Sequence, residues 1–271
     1  MSRLRNIPAA KEAVKNNPLV LKTPVVNTEV FGNDHPLQLE IGMGKGRFIM
    51  GMAKLHPGIN YIGVEVYESV LYRALQKLER IEKNPENLSV DGMERDETES
   101  GNNNGSVEVV ETQTADGSIA CDKESDEAND NANGNAGDEA CDAYTNLRFL
   151  CVNAADLSEY LKDGSVDKIY LNFSDPWPKE RHAHRRLVSA NFLKLFSRLL
   201  KDEGIIEFKT DNVGLFEYGL TQIEEAGYEL LYENRDLHAD EAEMKENVMT
   251  EYEEKFSAKG NKICKFRIKK R

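Results

Sequence analysis

Pro36-Leu-Gln-Leu-Glu-Ile-Gly-Met-Gly-Lys-Gly-Arg-Phe48 is the stretch whose reading decides what kind of chain this is. Pro36–Ile41 is a short apolar run of strand type. Glycines follow at 42, 44 and 46, and a helical pattern then continues to about His56, stopping ahead of Pro57-Gly58. Ile59–Val64 is a second strand, closed by Glu65. Strand, glycine turn, helix and a strand ending in an acid make a Rossmann-type unit. Gly42, Gly44 and Gly46 let the backbone approach a ligand closely, and Glu65 is placed to accept both hydroxyls of a ribose.

Glu40 narrows the ligand. It stands two positions before the first glycine, where a carboxylate would repel a pyrophosphate, and dinucleotide sites prefer Gly-x-Gly-x-x-Gly with phosphate on the helix N-terminus. Glu-x-Gly-x-Gly-x-Gly resembles the first motif of class I methyltransferases, whose S-adenosylmethionine is cationic and carries no phosphate.

Working outward, a helix is expected at about Glu68–Glu82, with Leu71, Leu75 and Leu78 on one core-facing side. Leu147–Val152 reads as a third strand. Beyond it, Asn153 is placed to read an adenine edge, and Asp156 reads as a helix N-cap. Val166–Phe173 is the fourth strand, Leu187–Leu200 a helix, and Ile205–Phe208 a fifth strand ending at Lys209-Thr210-Asp211-Asn212. After a helix over Val213–Ala226 come two strand-like runs, Tyr228–Glu233 and Lys262–Ile268, joined by an acidic helical stretch. In that stretch Tyr252 and Phe256 fall four apart, on the expected core side. The tail from Lys262 to Arg271 holds six basic residues between apolar ones, giving one core face and one face that is solvated or near RNA.

Charge is distributed unevenly. The 271 residues carry a net −13, yet 17 of the 48 acidic residues and only two of the 35 Lys and Arg lie between Asn84 and Ala143. That segment alone is −15, which leaves the rest of the chain at about +2. Low in complexity and without aromatic residues, it cannot bury enough apolar surface to offset ordering entropy, so an acidic disordered insert is expected over 84–143. Residues 1–35 read as a basic N-terminal arm, too polar and too broken by prolines to be core. A methyltransferase domain is expected over 36–271. There is no apolar run of membrane-spanning length and no signal-like N-terminus, and the four cysteines show no CxxC pairing. These features fit a cytoplasmic protein with reduced thiols and no metal.

The chemistry is concentrated in Leu171-Asn-Phe-Ser-Asp-Pro-Trp-Pro-Lys-Glu-Arg-His-Ala-His-Arg-Arg186. Two prolines make a rigid loop at the strand's end. It carries the carboxylate of Asp175, the only tryptophan, and the cations Lys179, Arg181, Arg185 and Arg186. The stretch closely resembles the Ser-Asp-Pro-Trp-Pro-Lys loop of the bacterial-type tRNA (guanine-N7-)-methyltransferases. Thr250-Glu-Tyr-Glu253 matches that family's motif just before its last strand. The likeness runs from about Phe31 to Phe256, leaving out the acidic insert.

That resemblance implies an α/β class I S-adenosylmethionine-dependent fold, with a seven-stranded mostly parallel sheet whose last strand is antiparallel. It implies methyl transfer to N7 of a guanine in the tRNA variable loop (position 46 type) by a monomer or homodimer. Cofactor contacts are implied at Glu40, Glu65, Asn153 and Asp175, the last also catalytic. Contacts to tRNA are implied at Lys179, Asp211, Thr250, Glu251, Tyr252 and Glu253, and the charge of Arg181, Arg185 and Arg186 suits phosphates. Trp177 reads as loop packing. Rival readings are another methyltransferase on the same fold and a non-catalytic RNA-binding protein. An intact set of Glu40, Gly42, Gly44, Gly46, Glu65 and Asp175 weighs against the latter.

Overall fold

The computed structural model describes residues 7–83 and 144–271. The expected acidic insert therefore lies outside the described residues. Seven strands form one sheet: β1 (Leu37–Ile41), β2 (Asn60–Val64), β3 (Leu147–Leu150), β4 (Val166–Asn172), β5 (Leu200–Thr210), β6 (Tyr228–Asn234) and β7 (Cys264–Lys270). Their order is β3-β2-β1-β4-β5-β7-β6. β1 to β5 pair in parallel, and β7 runs antiparallel to both of its neighbours. Strand order reverses between β1 and β4, the switch point where open α/β sheets bind ligands beyond the strands' carboxyl ends.

The sheet's two faces differ in chemistry. On one, Leu39, Ile169, Ile206, Phe208, Phe266 and Ile268 pack against Leu193, Phe196 and Leu199 of α5 (Ala190–Leu199) and Leu215 and Phe216 of α6 (Val213–Gln222). Pair register puts Gln38, Glu40, Tyr170, Asn172, Glu207, Lys209, Lys265 and Arg267 together on the other. Over the β1–β2 side of that face lie α3 (Arg47–Leu55) and its Phe48, edge-on to Tyr170 at 4.9 Å. Further along it the covering is polar: Glu207 and Glu243 share Lys265 and Arg267, while Lys168 pairs with Glu207. Burial alone would raise Glu207, but Lys168, Lys265 and Lys209 hold its carboxyl down to about 2.

Several expectations change. Residues 7–35 are not merely a surface arm. α1 (Ala10–Asn16) packs on α4 (Glu68–Lys83), and α2 (Asn27–Phe31) follows. Ala10, Val14, Val20 and Val25 are buried, single apolar residues spaced between the charges. β5 begins at Leu200 rather than 205, because the chain leaves α5 directly into extended conformation with Glu203 at φ 68°. α5 starts at Ala190, after a 3₁₀ turn over Glu180–Arg185. Asn153, not Asp156, is the cap: its side chain accepts from the Ala155 N–H at 3.0 Å. On the tail's second face, expected to be solvated or near RNA, Lys265 is buried and Arg267 is ion-paired, while Lys262 and Arg271 are exposed. No helix among the described residues is long and apolar enough to cross a membrane. Nor does any group of three or more His, Cys, Asp or Glu there have metal-holding geometry.

Candidate active site

Gly42, Gly44 and Gly46 all take positive φ, 77°, 59° and 78°. Only glycine adopts this freely, so the turn between β1 and α3 depends on them. A Cβ on Gly42 or Gly44 would point into open space, leaving bare backbone toward a ligand. One on Gly46 would lie 3.1 Å from Met50 and 3.5 Å from Ala74, so that glycine serves close packing.

Glu40 is 1% exposed. Asn172 at the end of β4 donates to its Oε1 at 2.9 Å, and its Oε2 has no partner. Burial raises its carboxyl to about 8, against the opposing pull of Asn172 and Lys209. A buried acceptor left unmatched at a sheet's switch point calls for a donor from a ligand, and a cationic one would restore the ionised form. Glu65 accepts from the N–H groups of Gly44, Val66 and Tyr67 at 2.9–3.1 Å. Burial still holds its carboxyl above the usual range, with a lesser push from Asp175. An ionised carboxylate has about four acceptor positions, so room remains for hydroxyl donors. Asn153 is exposed at the end of β3. These residues fit S-adenosylmethionine: an unmatched buried carboxylate for its cationic part, open glycine backbone beside it, and an acid for its ribose.

The Asp175 loop is strained and tied. Phe173 and Trp177 sit at φ 52° and 41°, outliers for bulky residues. Asp175 is exposed. Arg186 donates to the carbonyls of Pro176 and Trp177 at 3.0 and 3.1 Å and lies over the Tyr218 ring. Its guanidinium is thus engaged in holding the loop, whereas the reading from sequence placed it on phosphate. Trp177 is edge-on to His182 at 5.8 Å, with the Arg185 guanidinium 5.1 Å from the ring centroid. Lys179, Arg181 and Arg185 are exposed and make no ion pair with the described residues.

The 250–253 motif is brought beside this site, but its side chains divide. Thr250 caps α8 (Glu251–Ser257) by accepting from the Glu253 N–H at 3.0 Å. Glu253 is fully buried. It takes Lys209 at 2.7 Å, Asn247 at 2.6 Å and His238 at 3.0 Å, so it is satisfied inside the protein rather than offered to RNA. Those donors hold it ionised, below the usual carboxylate range, although burial pushes the other way. Glu251 pairs with Lys77 and Glu254 with Arg47. Tyr252, expected on the core side, is 59% exposed. Asp211 accepts from Asn261 at 3.2 Å beyond the end of β5.

Asn172, Lys209 and Arg47 were given no role in the reading from sequence, although Lys209 opens the polar cluster seen there at the end of the fifth strand. A polar residue closing an apolar strand run was the available signal for the first two. Arg47 had none beyond following the glycine turn.

A family model described as a putative methyltransferase matches residues 34–98 and 106–266. Among solved structures, the 16S rRNA methyltransferase KamB superposes with a TM-score of 0.54 at 9% identity, covering 92% of this chain and 94% of that one. An antibiotic-related methyltransferase gives 0.51 at 16%, covering 92% and 96%. At such identities the likeness is one of fold. A protein named tRNA (guanine-N(7)-)-methyltransferase from Geobacillus sp. (strain WCH70) is 41% identical, covering 98% of this chain and 95% of its own. Its namesake from Lysinibacillus sphaericus (strain C3-41) is 41% identical over 96% and 94%, and that from Lactococcus lactis subsp. cremoris (strain MG1363) 38% over 98% and 97%. With that identity sustained along nearly its whole length, the chain belongs to the tRNA (guanine-N(7)-)-methyltransferase family.

Proposed function

We propose that the protein transfers the methyl group of S-adenosylmethionine to N7 of a guanine in the variable loop of tRNA (position 46 type). It acts in the cytoplasm, as a monomer or homodimer. The observation that carries the cofactor half is the unpartnered Oε2 of buried Glu40, and the substrate half rests on the family. When bound, the cofactor supplies an electrophilic methyl group on a sulfonium. Glu40 and Glu65 would hold it, with Asn172 fixing the Glu40 carboxylate.

Guanine N7 carries a lone pair and no proton, so attack needs no general base. Acceleration then comes from positioning, worth up to about 7–11 kcal/mol in favourable cases. The methylated ring becomes cationic, and the Asp175 carboxylate is placed to stabilise that charge as it develops. Arg186 keeps the loop in position through two backbone carbonyls. Lys179, Arg181 and Arg185 neutralise phosphates, which favours RNA over a small-molecule acceptor.

Incubation with labelled S-adenosylmethionine and unmodified bulk tRNA, followed by digestion to nucleosides, tests this. The label is expected in 7-methylguanosine. Label in another nucleoside, or none in RNA, overturns the proposal.

A further inference from the structure

Three aromatic rings run outward from the Asp175 loop. Phe173 stacks with Tyr252 at 6.4 Å between centroids and 22° between planes, and Tyr252 with Phe256 at 5.9 Å and 20°. Tyr252, the middle ring, is 59% exposed, and its phenol makes no hydrogen bond with the described residues. Phe173 reaches this array at φ 52°, a strained conformation that a bulky side chain keeps only where its surroundings enforce it. Such strain collects at ligand clamps. α8 is in turn fixed to three separate elements, through Arg47 of α3, Lys77 of α4 and Lys209 of β5. The exposed ring is therefore held on a rigid support, next along the chain to the buried anchor Glu253 and beside the strand end that leads to Asp175.

We infer that Tyr252, flanked by Phe173 and Phe256, is the platform on which the target guanine of the variable loop stacks once it is turned out of the RNA. The inference rests on the function proposed above and adds how the base is held. The N7 lone pair lies in the plane of the purine. In-line attack thus requires the ring to present its edge to the methyl group, which leaves its faces to be gripped by something flat. Aromatic side chains bind extruded bases in this way without engaging their edges. The neighbouring unpaired cations Lys179, Arg181 and Arg185 favour RNA as the occupant over an apolar protein surface.

The test compares Tyr252→Ala, Tyr252→Leu, Tyr252→Phe and Tyr252→Trp. Three readouts are taken: kcat/KM on a tRNA transcript, the Kd for S-adenosylmethionine, and the fluorescence of 2-aminopurine placed at the target position. Loss of one base stack predicts a fall in kcat/KM of about 5- to 150-fold for the Ala and Leu variants. Phe and Trp should stay within about threefold of wild type, and cofactor affinity should not move. The 2-aminopurine signal, quenched by the wild-type protein, should brighten with Ala and Leu only. If Leu performs like Phe, bulk rather than stacking matters and the inference fails. It fails also if Ala equals wild type, or if Phe loses as much as Ala. A wild-type protein that makes no 7-methylguanosine overturns the functional proposal and this inference together. Wild-type activity unaffected by Tyr252→Ala overturns the platform alone.

Discussion

Two sets of cations lie within 30 residues of each other in sequence, and they are used oppositely. Lys209 is fully buried, and all three of its protons are taken, by Glu253 at 2.7 Å, Asn247 at 2.9 Å and the Val248 carbonyl at 3.1 Å. Lys179, Arg181 and Arg185 stand in water with no acidic partner among the described residues. The first holds the fold around the site, and the second carries charge that no acidic side chain among the described residues offsets. Residue type does not distinguish them. Partnership and burial do.

The largest consequence is for stability. Lys209→Met strands the buried Glu253 carboxylate, which should cost about 3–5 kcal/mol by denaturant unfolding. Lys179→Ala should stay within about 0.5 kcal/mol, as surface changes do. Equal effects from the two substitutions would erase the distinction.

Asp175→Asn is next. Its charge matters most as the ring becomes cationic, so turnover should fall by about 10²–10³ with a much smaller change in tRNA affinity. Matching losses in turnover and binding would make Asp175 a positioning group instead.

Glu40 lies between the two sets, buried yet only half partnered. With its carboxyl raised to about 8 in the ligand-free protein, the folded state keeps a proton that the unfolded chain loses near 4.5. Stability should therefore fall as pH rises through that window. A cationic cofactor prefers the ionised form, so its affinity should weaken about tenfold for each pH unit below 8. Calorimetric titrations at pH 6, 7 and 8 read this directly. Glu40→Gln should remove both trends and bind the cofactor weakly throughout. A pH-independent Kd in the wild type would show that Glu40 is already ionised before binding.

The smallest effect sharpens the comparison most finely. Each of Lys179→Ala and Arg185→Ala should reduce the slope of log Kobs for tRNA against log salt by up to about 1. Arg186→Ala removes a cation already committed to the loop's carbonyls, and should cost turnover more than slope. An equal slope change for Arg186 would return it to the phosphate-binding set.

The sequence showed the parts of this molecule that are local. Glycine spacing, Glu40, Glu65 and the proline-bounded Asp175 loop lie in contiguous stretches whose backbone demands can be read residue by residue. Strand starts followed from apolar runs, except β5, which the chain enters straight from α5. What stayed hidden depends on pairing across distance. Glu253 meets Lys209 from 44 residues away, and Asn172 meets Glu40 from 132. Periodicity placed Tyr252 and Phe256 toward the core of α8, but the buried Lys209 draws Glu253 inward, which turns Tyr252 out to solvent. Arg186 looked like its neighbours because a guanidinium that binds carbonyls and one that binds phosphates have the same letter.

The central claim, methyl transfer to guanine N7 in tRNA, is tested most directly by removing that atom. Two otherwise identical tRNA transcripts would be compared, one with guanosine and one with 7-deazaguanosine at the target position in the variable loop, each with labelled S-adenosylmethionine. Transfer to the guanosine transcript and none to the 7-deaza transcript, at unchanged tRNA affinity, is the predicted result. Equal labelling of both would contradict it.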